Sequence, residues 1–482
     1  MAKPTRRTIV KLAAAAAGAA LMPRSAAAQQ RIVLNDASRL SPTPVARHWV
    51  VGADPEAAFI ERLRRELKEA QAGNRAFVVG GARHSMGGQS LYRNATAATF
   101  ETKLCELDAN AKTYRTHAGS RWIYLLQELD RAGFSPAVMQ SNADFATAGT
   151  LSVNAHGWPV PFGPFGATVR SFRLMLAGGA IVTCSPAENA ELYGLVQGGY
   201  GLFGVILDMV LDMVPNALLR PTNVLMPAGE FGPRFVAAIN GDPSVQMAYG
   251  RLSVARRDFL RQALMITYRP VPNQPARLPP VSAGGLMSSV SREIFRAQIG
   301  SETGKRARWA AETVGNPAIS SGIATRSTLM NEPVANLAGR DPLRTDILHE
   351  YFVAPDRFDE FLTACREVIL RSRQDLLNVT LRYVKADTVS ALSYAPVPRI
   401  AAVMLFSQSV TPEAEADMLA MTEALVERVI AIGGSFYLPY RLHARRDQVE
   451  RAYPGVARFV AKKREIDPGL LFRNTMWDVY FA

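Results

Sequence analysis

The stretch GGARHSMGGQ at positions 80–89 is the part of the sequence best suited to chemistry. It holds four glycines in ten residues and follows the apolar run 77–79, so it is expected where a strand ends in a loop. Glycine leaves backbone amides uncovered, and amides that turn toward one point form a nest that binds pyrophosphate without a lysine. His84 and Ser85 stand at the centre of this loop. A glycine-rich turn with a surface histidine explains the same stretch when it is taken alone.

Two more glycine-rich stretches follow, AGTLSVNAHG at 148–157 and GGYGLFGVILD at 198–208. A dinucleotide fingerprint of the GxGxxG type occurs once, in a strand-to-helix turn, with an acidic residue about twenty positions later. Here the glycine-rich stretches are separated by about fifty to seventy residues, which excludes that fingerprint. Several separate loops are therefore expected to converge on one extended ligand.

The three motifs, in this order, resemble those of the FAD-linked oxidases of the vanillyl-alcohol oxidase type, which carry a PCMH-type FAD-binding domain. Within that family the sequence is nearest to the sugar and aldonolactone oxidases and the decaprenylphosphoryl-ribose oxidases, over most of positions 45–215 and the last thirty residues. The resemblance implies a flavoprotein oxidoreductase in which the first two loops hold the FAD diphosphate and the third lies along the flavin. The cofactor-binding residues that it implies are Gly80, Gly81, Ala82, Arg83, His84, Ser85, Gln89, Gly149, Thr150, Ser152, Asn154, His156, Gly199, Gly204, Ile206 and Asn474.

His84 matches the position at which many members of that family carry a histidine bonded covalently to the 8α carbon of the flavin. The resemblance therefore implies a covalent 8α-histidyl FAD. Arg83 stands where many members have glycine, so its bulk and charge are expected to alter how the His84 ring is presented. Residues 141–150 contain no cysteine, so no second, cysteinyl link is expected.

Short strands and helices mixed without regular βαβ repetition predict an α+β domain in the first half of the chain. After residue 216, longer strands near 245–254, 262–270, 345–353, 377–385, 401–409 and 435–442 alternate with helices over 356–373 and 412–432. The resemblance implies a two-domain PCMH-type FAD-binding fold with an inserted α+β substrate domain, an antiparallel sheet covered by helices. The expected boundaries are 31–215 for the FAD-binding domain, 216–449 for the substrate domain and 450–482 for a segment that returns to the FAD-binding domain.

Local signals predict where the helices of the first half begin. Asp54 and Pro55 have the types of an N-cap and a first helical position, and Gly73 ends that helix. Ser120 is expected to cap a second helix. The stretch Ser185 to Glu188 has the pattern of a capping box that opens a helix toward position 196.

The catalytic residues are expected on the sheet of the substrate domain, because the resemblance places that sheet over the flavin. Hydride transfer to flavin N5 requires a base that takes the proton of the donor. In DILHEYFV, at 346–353, the strand period of two puts His349 and Tyr351 on one face and Glu350 on the other. The sequence therefore favours His349 and Tyr351 as side chains facing the flavin, although a strand at the sheet edge explains the same pattern.

Two more catalytic candidates come from the resemblance. The stretch 378–393 is similar to an alditol-oxidase segment whose arginine contacts the substrate hydroxyl, and Arg382 matches that arginine. The glutamate of that segment falls on Thr380, which argues against a polyol. The stretch 433–443 is similar to a strand with a flavin-facing lysine in the decaprenylphosphoryl-ribose oxidases, and Tyr440 occupies the lysine position. Because tyrosine has no fixed charge, Arg382 or Arg441 is expected to supply the positive field over the reduced flavin.

The expected reaction is oxidation of a CH–OH group of an alcohol, sugar or lactone-like donor, with oxygen, a quinone or a cytochrome as electron acceptor. Trp158 suggests an apolar or aromatic substrate, unless it is a core residue. Cytokinin dehydrogenases carry a base where this chain has Ser141, three residues before Asp144, which argues against a similar amine oxidation. Oxidation of a CH–NH donor and a non-catalytic flavin or ligand carrier remain as alternatives.

Positions 1–28 have the pattern of an export signal, with the pair Arg6 and Arg7 before a short alanine-rich run and a small-residue cleavage site. The pattern favours twin-arginine (Tat) export to the periplasm or outside the cell, with an ordinary secretory signal peptide as the alternative. The rest of the chain has a net charge of +8 rather than +13, which needs no nucleic acid to explain it. The basic clusters 251–261 and 305–308 are expected on solvated faces. No other long apolar run predicts a membrane span, and the three cysteines have no metal-ligand spacing.

Overall fold

The computed structural model describes residues 32–52, 56–282, 289–315, 322–334, 339 and 341–482. The predicted export signal and the predicted cap at Asp54 and Pro55 lie outside these ranges and stay predictions. Within them, no helix is long and apolar enough to cross a membrane.

The strands are β1 (Ile32–Leu34), β2 (Thr43–Val45), β3 (Arg47–Val51), β4 (Phe77–Gly80), β5 (Thr96–Phe100), β6 (Glu106–Asp108), β7 (Thr113–His117), β8 (Phe134–Pro136), β9 (Val169–Met175), β10 (Ile181–Cys184), β11 (Val205–Pro215), β12 (Leu218–Pro227), β13 (Met247–Leu252), β14 (Gln262–Pro270), β15 (Ala324–Thr325), β16 (Arg344–Val353), β17 (Asp375–Val384), β18 (Arg399–Ser409) and β19 (Ser435–Phe436). The α-helices are α1 (Glu56–Ala72), α2 (Trp122–Arg131), α3 (Thr147–Ser152), α4 (Ala190–Val196), α5 (Phe231–Asn240), α6 (Ser289–Arg296), α7 (Glu302–Ala310), α8 (Arg326–Met330), α9 (Phe358–Ile369), α10 (Pro412–Ala431), α11 (Arg446–Ala452), α12 (Val456–Ile466) and α13 (Thr475–Tyr480).

The described residues of the first half contain three sheets, the smallest of which pairs β1 with β2. Strands β3, β5 and β4 pair in parallel, and α1 buries Phe59, Leu63 and Leu67 beside them. Strands β10, β9, β11, β7 and β6 form an antiparallel sheet in that order, and β8 pairs with β11. The α+β class predicted for the chain is confirmed.

The second half contains an antiparallel sheet of eight strands in the order β15, β12, β14, β13, β17, β18, β16, β19. Helices α9 and α10 cover one of its faces: Phe361 of α9 contacts Tyr351, and Thr422 of α10 contacts His349. The opposite face lines a cavity, as described below. The sheet therefore separates a packed layer from a binding surface.

The C-terminal segment packs back on the first half of the chain. The amide of Phe77 donates to the carbonyl of Leu471 over 2.7 Å. Asn474 caps α13 and donates from Nδ2 to the carbonyls of Gln89 and Tyr200, over 2.8 and 3.0 Å. The last helices thus fix the first and third glycine-rich loops relative to one another.

Three local predictions were wrong. Ser120 does not cap α2, which starts after Arg121; its hydroxyl instead accepts from the amide of Leu104. The box at Ser185 closes only a turn, and α4 starts five residues later. The strand predicted over 435–442 pairs only at Ser435 and Phe436. The chain then leaves the sheet, and the carbonyls of Leu438 and Tyr440 accept hydrogen bonds from Nε2 of Gln89 instead.

Candidate functional site

A cavity of about 1230 Å³ lies between the glycine-rich loops and the face of the eight-stranded sheet opposite to α9 and α10, and residues of α6 and α7 also line it. Its walls come from the loop after β4, from α3 and the loop after it, from the turn before β11, and from strands β12, β13, β14, β16, β17 and β18. This volume is large enough for a cofactor together with a second ligand. The sequence-separated loops therefore do converge on one site.

The loop after β4 presents unpaired backbone donors to this cavity. Within the described ranges, the amides of residues 82–85 donate to no acceptor. Arg83 has a φ of 53°, a left-handed conformation that turns successive amides toward one side. Three further amides of the loop have protein acceptors: Met86 donates to the carbonyl of Pro439 over 2.8 Å, Gly87 to Gln89 over 2.9 Å and Gly88 to Asp36 over 2.9 Å. The loop is thus a rigid nest with a free row of donors.

The other two loops approach the cavity with bare backbone. A Cβ atom added at Gly149 or at Gly201 would meet no protein atom within 4 Å, so the space beside each glycine belongs to the cavity. Tyr200 and Gly201 have φ values of 52° and 72°, and the amide of Tyr200 donates to the carbonyl of Ser152 over 2.9 Å. Contact between the second and third loops therefore gives the cavity one continuous wall.

These features fit FAD. A nest of free amides suits a diphosphate, and glycines without close neighbours leave room for a flat ring against the backbone. The lining also contains buried polar atoms without a protein partner, Ser90 Oγ and His156 Nδ1, which a polar ligand such as a flavin can satisfy.

His84 is held beside the cavity by two neighbours. Its ring stacks on Phe145 with the centroids 4.1 Å apart, and its Nε2 lies 3.6 Å from Oδ2 of Asp144. Burial lowers the pKa of His84, and the carboxylate of Asp144 opposes that effect without overcoming it. The imidazole is therefore neutral at pH 7 and keeps a lone pair. The side chain of Arg83 points away from it and donates to Oγ1 of Thr99 over 2.6 Å.

A buried polar network lies in the wall formed by the sheet. Nε2 of His156 lies 2.5 Å from Oε1 of Glu350, and Oη of Tyr440 donates to Oε2 of Glu350 over 3.1 Å. The side chains of His156 and Glu350 are only 3% and 2% exposed. Arg382 donates from Nη1 to the carbonyl of His156 over 3.0 Å and from Nη2 to Oγ of Ser141 over 2.8 Å. All five residues line the cavity.

The protonation states of this network follow from burial and hydrogen bonding. Burial raises the pKa of Glu350, but the donors and positive charges of His156, Arg382 and Tyr440 together bring that pKa below its usual value. Burial lowers the pKa of His156, against the opposing effect of the Glu350 carboxylate. At pH 7 Glu350 is therefore ionised and His156 is neutral, with its Nε2 proton donated to Glu350. The pKa of Tyr440 is raised by burial and by Glu350, so Tyr440 keeps its proton.

Residues 56–185 match the family model of the FAD binding domain. This chain contains an FAD-binding domain. The matched range holds the nest loop and the second glycine-rich loop, so the FAD-binding domain supplies the free amides, His84 and His156.

The chain is also similar to curated proteins over part of its length. The chain is 30% identical over 201 residues to cytokinin dehydrogenase 8 of Oryza sativa subsp. indica, which is 36% of this chain and 37% of that protein. It is 26% identical over 176 residues to L-gulonolactone oxidase of Bos taurus, 36% of this chain and 40% of that one. It is 27% identical over 175 residues to D-arabinono-1,4-lactone oxidase of Yarrowia lipolytica, 35% and 33% of the two chains. The chain thus matches well under half the length of these relatives.

A solved structure extends the likeness to both halves of the chain. A solvent-stable cholesterol oxidase superposes with a TM-score of 0.70 at 14% identity, covering 93% of this chain and 97% of that one. This likeness confirms the predicted two-domain flavoprotein fold.

Most of the predicted cofactor-binding residues line the cavity, as do the predicted catalytic residues Arg382 and Tyr440. The cofactor-binding residues in the lining are Gly80, Gly81, Ala82, Arg83, His84, Ser85, Gln89, Gly149, Ser152, His156, Gly204 and Ile206. Four others lie behind the wall. Thr150 accepts from Trp122 Nε1, Asn154 accepts from the amide of Gly166, and Asn474 caps α13. A Cβ added at Gly199 would come within 2.2 Å of the carbonyl oxygen of Leu195, so Gly199 packs against its own backbone.

The structure does not place His349 and Tyr351 in the cavity. The alternation along β16 is as predicted, but these residues occupy the face covered by helices, where His349 contacts Thr422 and Phe406. Burial lowers the pKa of His349 to about 3, so it is a neutral core residue. Glu350, on the other face, lines the cavity and is the candidate residue that sequence reasoning missed. A carboxylate among apolar residues on the same strand was the available signal.

Arg441 is also outside the cavity. It donates to Glu415 from Nε over 3.0 Å and to the carbonyl of Met86 over 3.2 Å. Arg382 is therefore the one of the two predicted arginines that faces the site. Trp158 lines the cavity and stacks on Tyr249 with the centroids 4.5 Å apart, so it is part of an aromatic wall.

Proposed function

We propose that this protein is an FAD-dependent oxidoreductase that oxidises the CH–OH group of an alcohol, sugar or lactone-like donor to a carbonyl. The observation that carries this proposal is the buried network of Glu350, Tyr440 and Arg382 in the cavity wall that faces the FAD-binding loops. An ionised carboxylate, a hydroxyl and a guanidinium are the groups needed to remove a hydroxyl proton and stabilise the charge that remains.

Each residue has a role set by its contacts. When bound, FAD supplies the acceptor of the hydride. Glu350 takes the proton of the donor hydroxyl, directly or through Tyr440, whose Oη is already bonded to its Oε2. Arg382 holds a positive charge beside the reacting groups, and its bonds to His156 and Ser141 fix the orientation of that charge. His156 holds Glu350 in place and supports its ionised state.

We further propose that His84 binds the flavin covalently through the 8α carbon. Forming this bond would break a C–H bond of the 8α methyl and release two electrons, which the flavin itself would take up and pass to the proposed electron acceptor. The bond also needs an imidazole lone pair at the edge of the cofactor, and the neutral His84 ring lines the cavity next to the nest. The carboxylate of Asp144 lies beside Nε2 of His84, so it is placed to attract an N–H at that nitrogen and to hold the orientation of the ring. For a protein exported to the periplasm, a covalent bond would also prevent loss of a cofactor that is made inside the cell.

The chemistry of Ser141 favours an alcohol over an amine. Cytokinin dehydrogenases resemble this chain in sequence, but at the position of their base this chain has a serine that accepts a hydrogen bond from Arg382. Serine beside a guanidinium is a poor proton acceptor. Oxygen, a quinone or a cytochrome is proposed as the partner that reoxidises the flavin.

Anaerobic reduction of the bound flavin tests the proposed reaction. The FAD-loaded protein is mixed with alcohols and aldonolactones and, in parallel, with amines of the same carbon skeletons, and loss of the visible flavin absorbance is followed. Bleaching by an alcohol and not by its matched amine supports the proposal. Bleaching only by amines supports CH–NH oxidation, and no bleaching by any donor supports a flavin or ligand carrier.

A further inference from the structure

Arg251 lies inside the cavity, although its basic sequence context predicted a solvated face. It sits on β13, with its backbone paired to Thr380 of β17, and it lines the cavity. The side chain is only partly exposed, and because it lines the cavity its charge faces the cavity.

The guanidinium of Arg251 is anchored by one nitrogen. Nη1 donates to Oδ1 of Asn378 over 3.0 Å and to Oγ1 of Thr380 over 2.5 Å, and the group lies 5.3 Å from the ring centroid of Tyr249. Its Nε and Nη2 have no acceptor within the described part of the chain, and neither is sealed from the cavity. Arg251 is therefore held rigidly with free donors.

Among the described residues, Arg251 makes no ion pair with a carboxylate. The nearby carboxylate, Glu312, is bonded to Arg308 over 3.0 and 2.7 Å, and Arg308 donates from Nη2 to Oδ1 of Asn378 over 2.9 Å. Two guanidinium groups thus converge on one neutral amide oxygen, with a single carboxylate between them. Because opposite charges interact strongly in a partly buried site, the remaining positive charge favours an anionic ligand.

Two other arginines of the cavity wall already have acceptors for both of their terminal nitrogens. Arg296 makes a two-point ion pair with Asp346 over 3.0 and 2.6 Å. Arg344 donates from Nε to Oγ of Ser407 over 2.9 Å and from Nη2 to the carbonyl of Ser407 over 2.8 Å. Arg344 therefore offers a matched comparison: a cation in the same wall whose donors are in use.

The sheet sets the spacing between Arg251 and the proposed catalytic residues. Arg382 lies on β17 two residues after Thr380, the partner of Arg251. Residues two apart on one strand are separated by about 7 Å, and neighbouring strands are about 4.8 Å apart. The aromatic pair of Trp158 and Tyr249 lies in the same wall. A ligand that reaches both arginines has room for an apolar or aromatic body between its two ends.

We propose that Arg251 binds an oxyanion, in the first place a carboxylate, at the end of the substrate opposite to the CH–OH group that is oxidised. The guanidinium fork matches the two oxygens of a carboxylate. The assignment rests on the proposed function for the identity of the reacting end. Arg251 itself is a specificity residue and takes no part in proton or hydride transfer.

Calorimetric binding to the FAD-loaded protein tests this without turnover. The probes are 4-methylbenzoate and its uncharged counterpart 4-methylbenzamide, titrated into wild type, Arg251→Gln and Arg344→Gln. Wild type is expected to bind the carboxylate about tenfold more tightly than the amide, the size of one charge-assisted contact. That preference should disappear in Arg251→Gln and persist in Arg344→Gln. Equal binding of the two probes to wild type, or a preference that survives in Arg251→Gln, would overturn the proposal.

Kinetics with 4-(hydroxymethyl)benzoate and its methyl ester then separate this inference from the proposed function. In Arg251→Gln, KM for the acid should rise about tenfold while kcat stays near wild type and the ester is unaffected. If neither alcohol bleaches the flavin but the calorimetric preference holds, the proposed reaction fails and the anion site stands. If both are oxidised and the variant affects them equally, the anion site fails and the reaction stands. Phosphate as a competing ligand distinguishes a general oxyanion site, which phosphate would block, from one shaped for a carboxylate.

Discussion

Nε2 of His156, in the loop after α3, lies 2.5 Å from Oε1 of Glu350, in the middle of β16. This contact joins the FAD-binding domain to the eight-stranded sheet. It also keeps an ionised carboxylate in a site that is almost closed to solvent, where an isolated carboxylate would take up a proton. The network around Glu350 thus connects the fold of the protein to its proposed chemistry.

Replacing the proposed base should reduce flavin reduction without affecting the fold. Glu350→Gln keeps the size of the side chain but removes its ability to accept a proton, so the rate of anaerobic reduction should fall about 10²- to 10⁴-fold. Tyr351→Phe is the neighbouring control, because Tyr351 faces the helices and its hydroxyl lies 3.2 Å from Nδ1 of His349, away from the cavity. Stopped-flow absorbance per bound flavin measures both. Equal losses in the two variants would contradict the assignment of Glu350.

The pH dependence of the reaction should depend on His156. The ionised form of Glu350 is the active one, so the rate falls as the pH drops through the pKa of Glu350, which His156 helps to keep low. His156→Leu removes this donor, leaves burial to raise the pKa and moves the acidic limb of kcat/KM to higher pH. His156→Gln retains an N–H donor and should leave the limb nearer to wild type. A limb that stays in place in His156→Leu would rule out this role.

The site could be predicted from the sequence where backbone conformation determines function. The glycine-rich loops predicted a nest, because free amides need residues without bulky side chains. The structure builds the cavity from those loops. Asn154, in the second glycine-rich loop, and Asn474, in the C-terminal segment, were assigned to the cofactor by the family resemblance but lie in the wall behind the cavity. A motif marks the whole loop and does not distinguish residues that touch the ligand from residues that support it.

The catalytic face of β16 could not be predicted in the same way. The period of two separated His349 from Glu350 correctly, but the choice of face depends on where α10 packs, which is a long-range contact. The sequence analysis favoured the face with two polar residues, His349 and Tyr351, over the face with Glu350. His349 and Tyr351 are both buried in the core. Arg251 was misjudged for a related reason: its basic neighbours in sequence lie beyond the end of β13, and only the sheet turns its own side chain inward.

Covalent attachment should depend on His84 and on its neighbour Asp144. Yellow colour should remain with the acid-precipitated wild type and pass to the supernatant in His84→Ala, which still binds FAD through the nest. Asp144→Asn should slow the attachment, because it weakens the contact that orients the ring. The measurement is flavin absorbance in the pellet and supernatant over time. Colour released from the wild type would contradict the histidyl bond and leave the FAD site intact.

The return of the C-terminal segment depends on a buried ion pair between Lys463 and Asp467, whose side chains are 0% and 2% exposed. Lys463→Met leaves the carboxylate without its partner and should lower the free energy of unfolding by about 3 kcal/mol. The neighbouring Lys462→Met loses only surface pairs with Glu191 and Glu465 and should cost about 1 kcal/mol or less. Urea denaturation measures both. Similar losses in the two variants would contradict the importance of burial.

The same lysine gives a pH dependence of stability. Burial lowers the pKa of Lys463 to about 8, below its ordinary value in the unfolded chain, while Asp467 opposes the shift. Between pH 8 and the ordinary lysine pKa the unfolded chain holds a proton that the folded chain has released, so this group makes stability rise with pH. Lys463→Met should remove that contribution. An unchanged slope of unfolding free energy against pH in the variant would contradict it.

The cavity is proposed to hold FAD against the bare backbone of the glycine-rich loops. A substitution at Gly149 tests this most directly, by the amount of FAD bound. No protein atom lies within 4 Å of a Cβ added there, so Gly149→Leu should fold as wild type does while its side chain fills space that the cofactor needs. Wild type refolded with FAD should bind about one flavin per chain, and the variant should bind less than about a tenth of that at an unchanged melting temperature of the cofactor-free protein. Full occupancy in Gly149→Leu, or a wild type that takes up no FAD, would contradict the account.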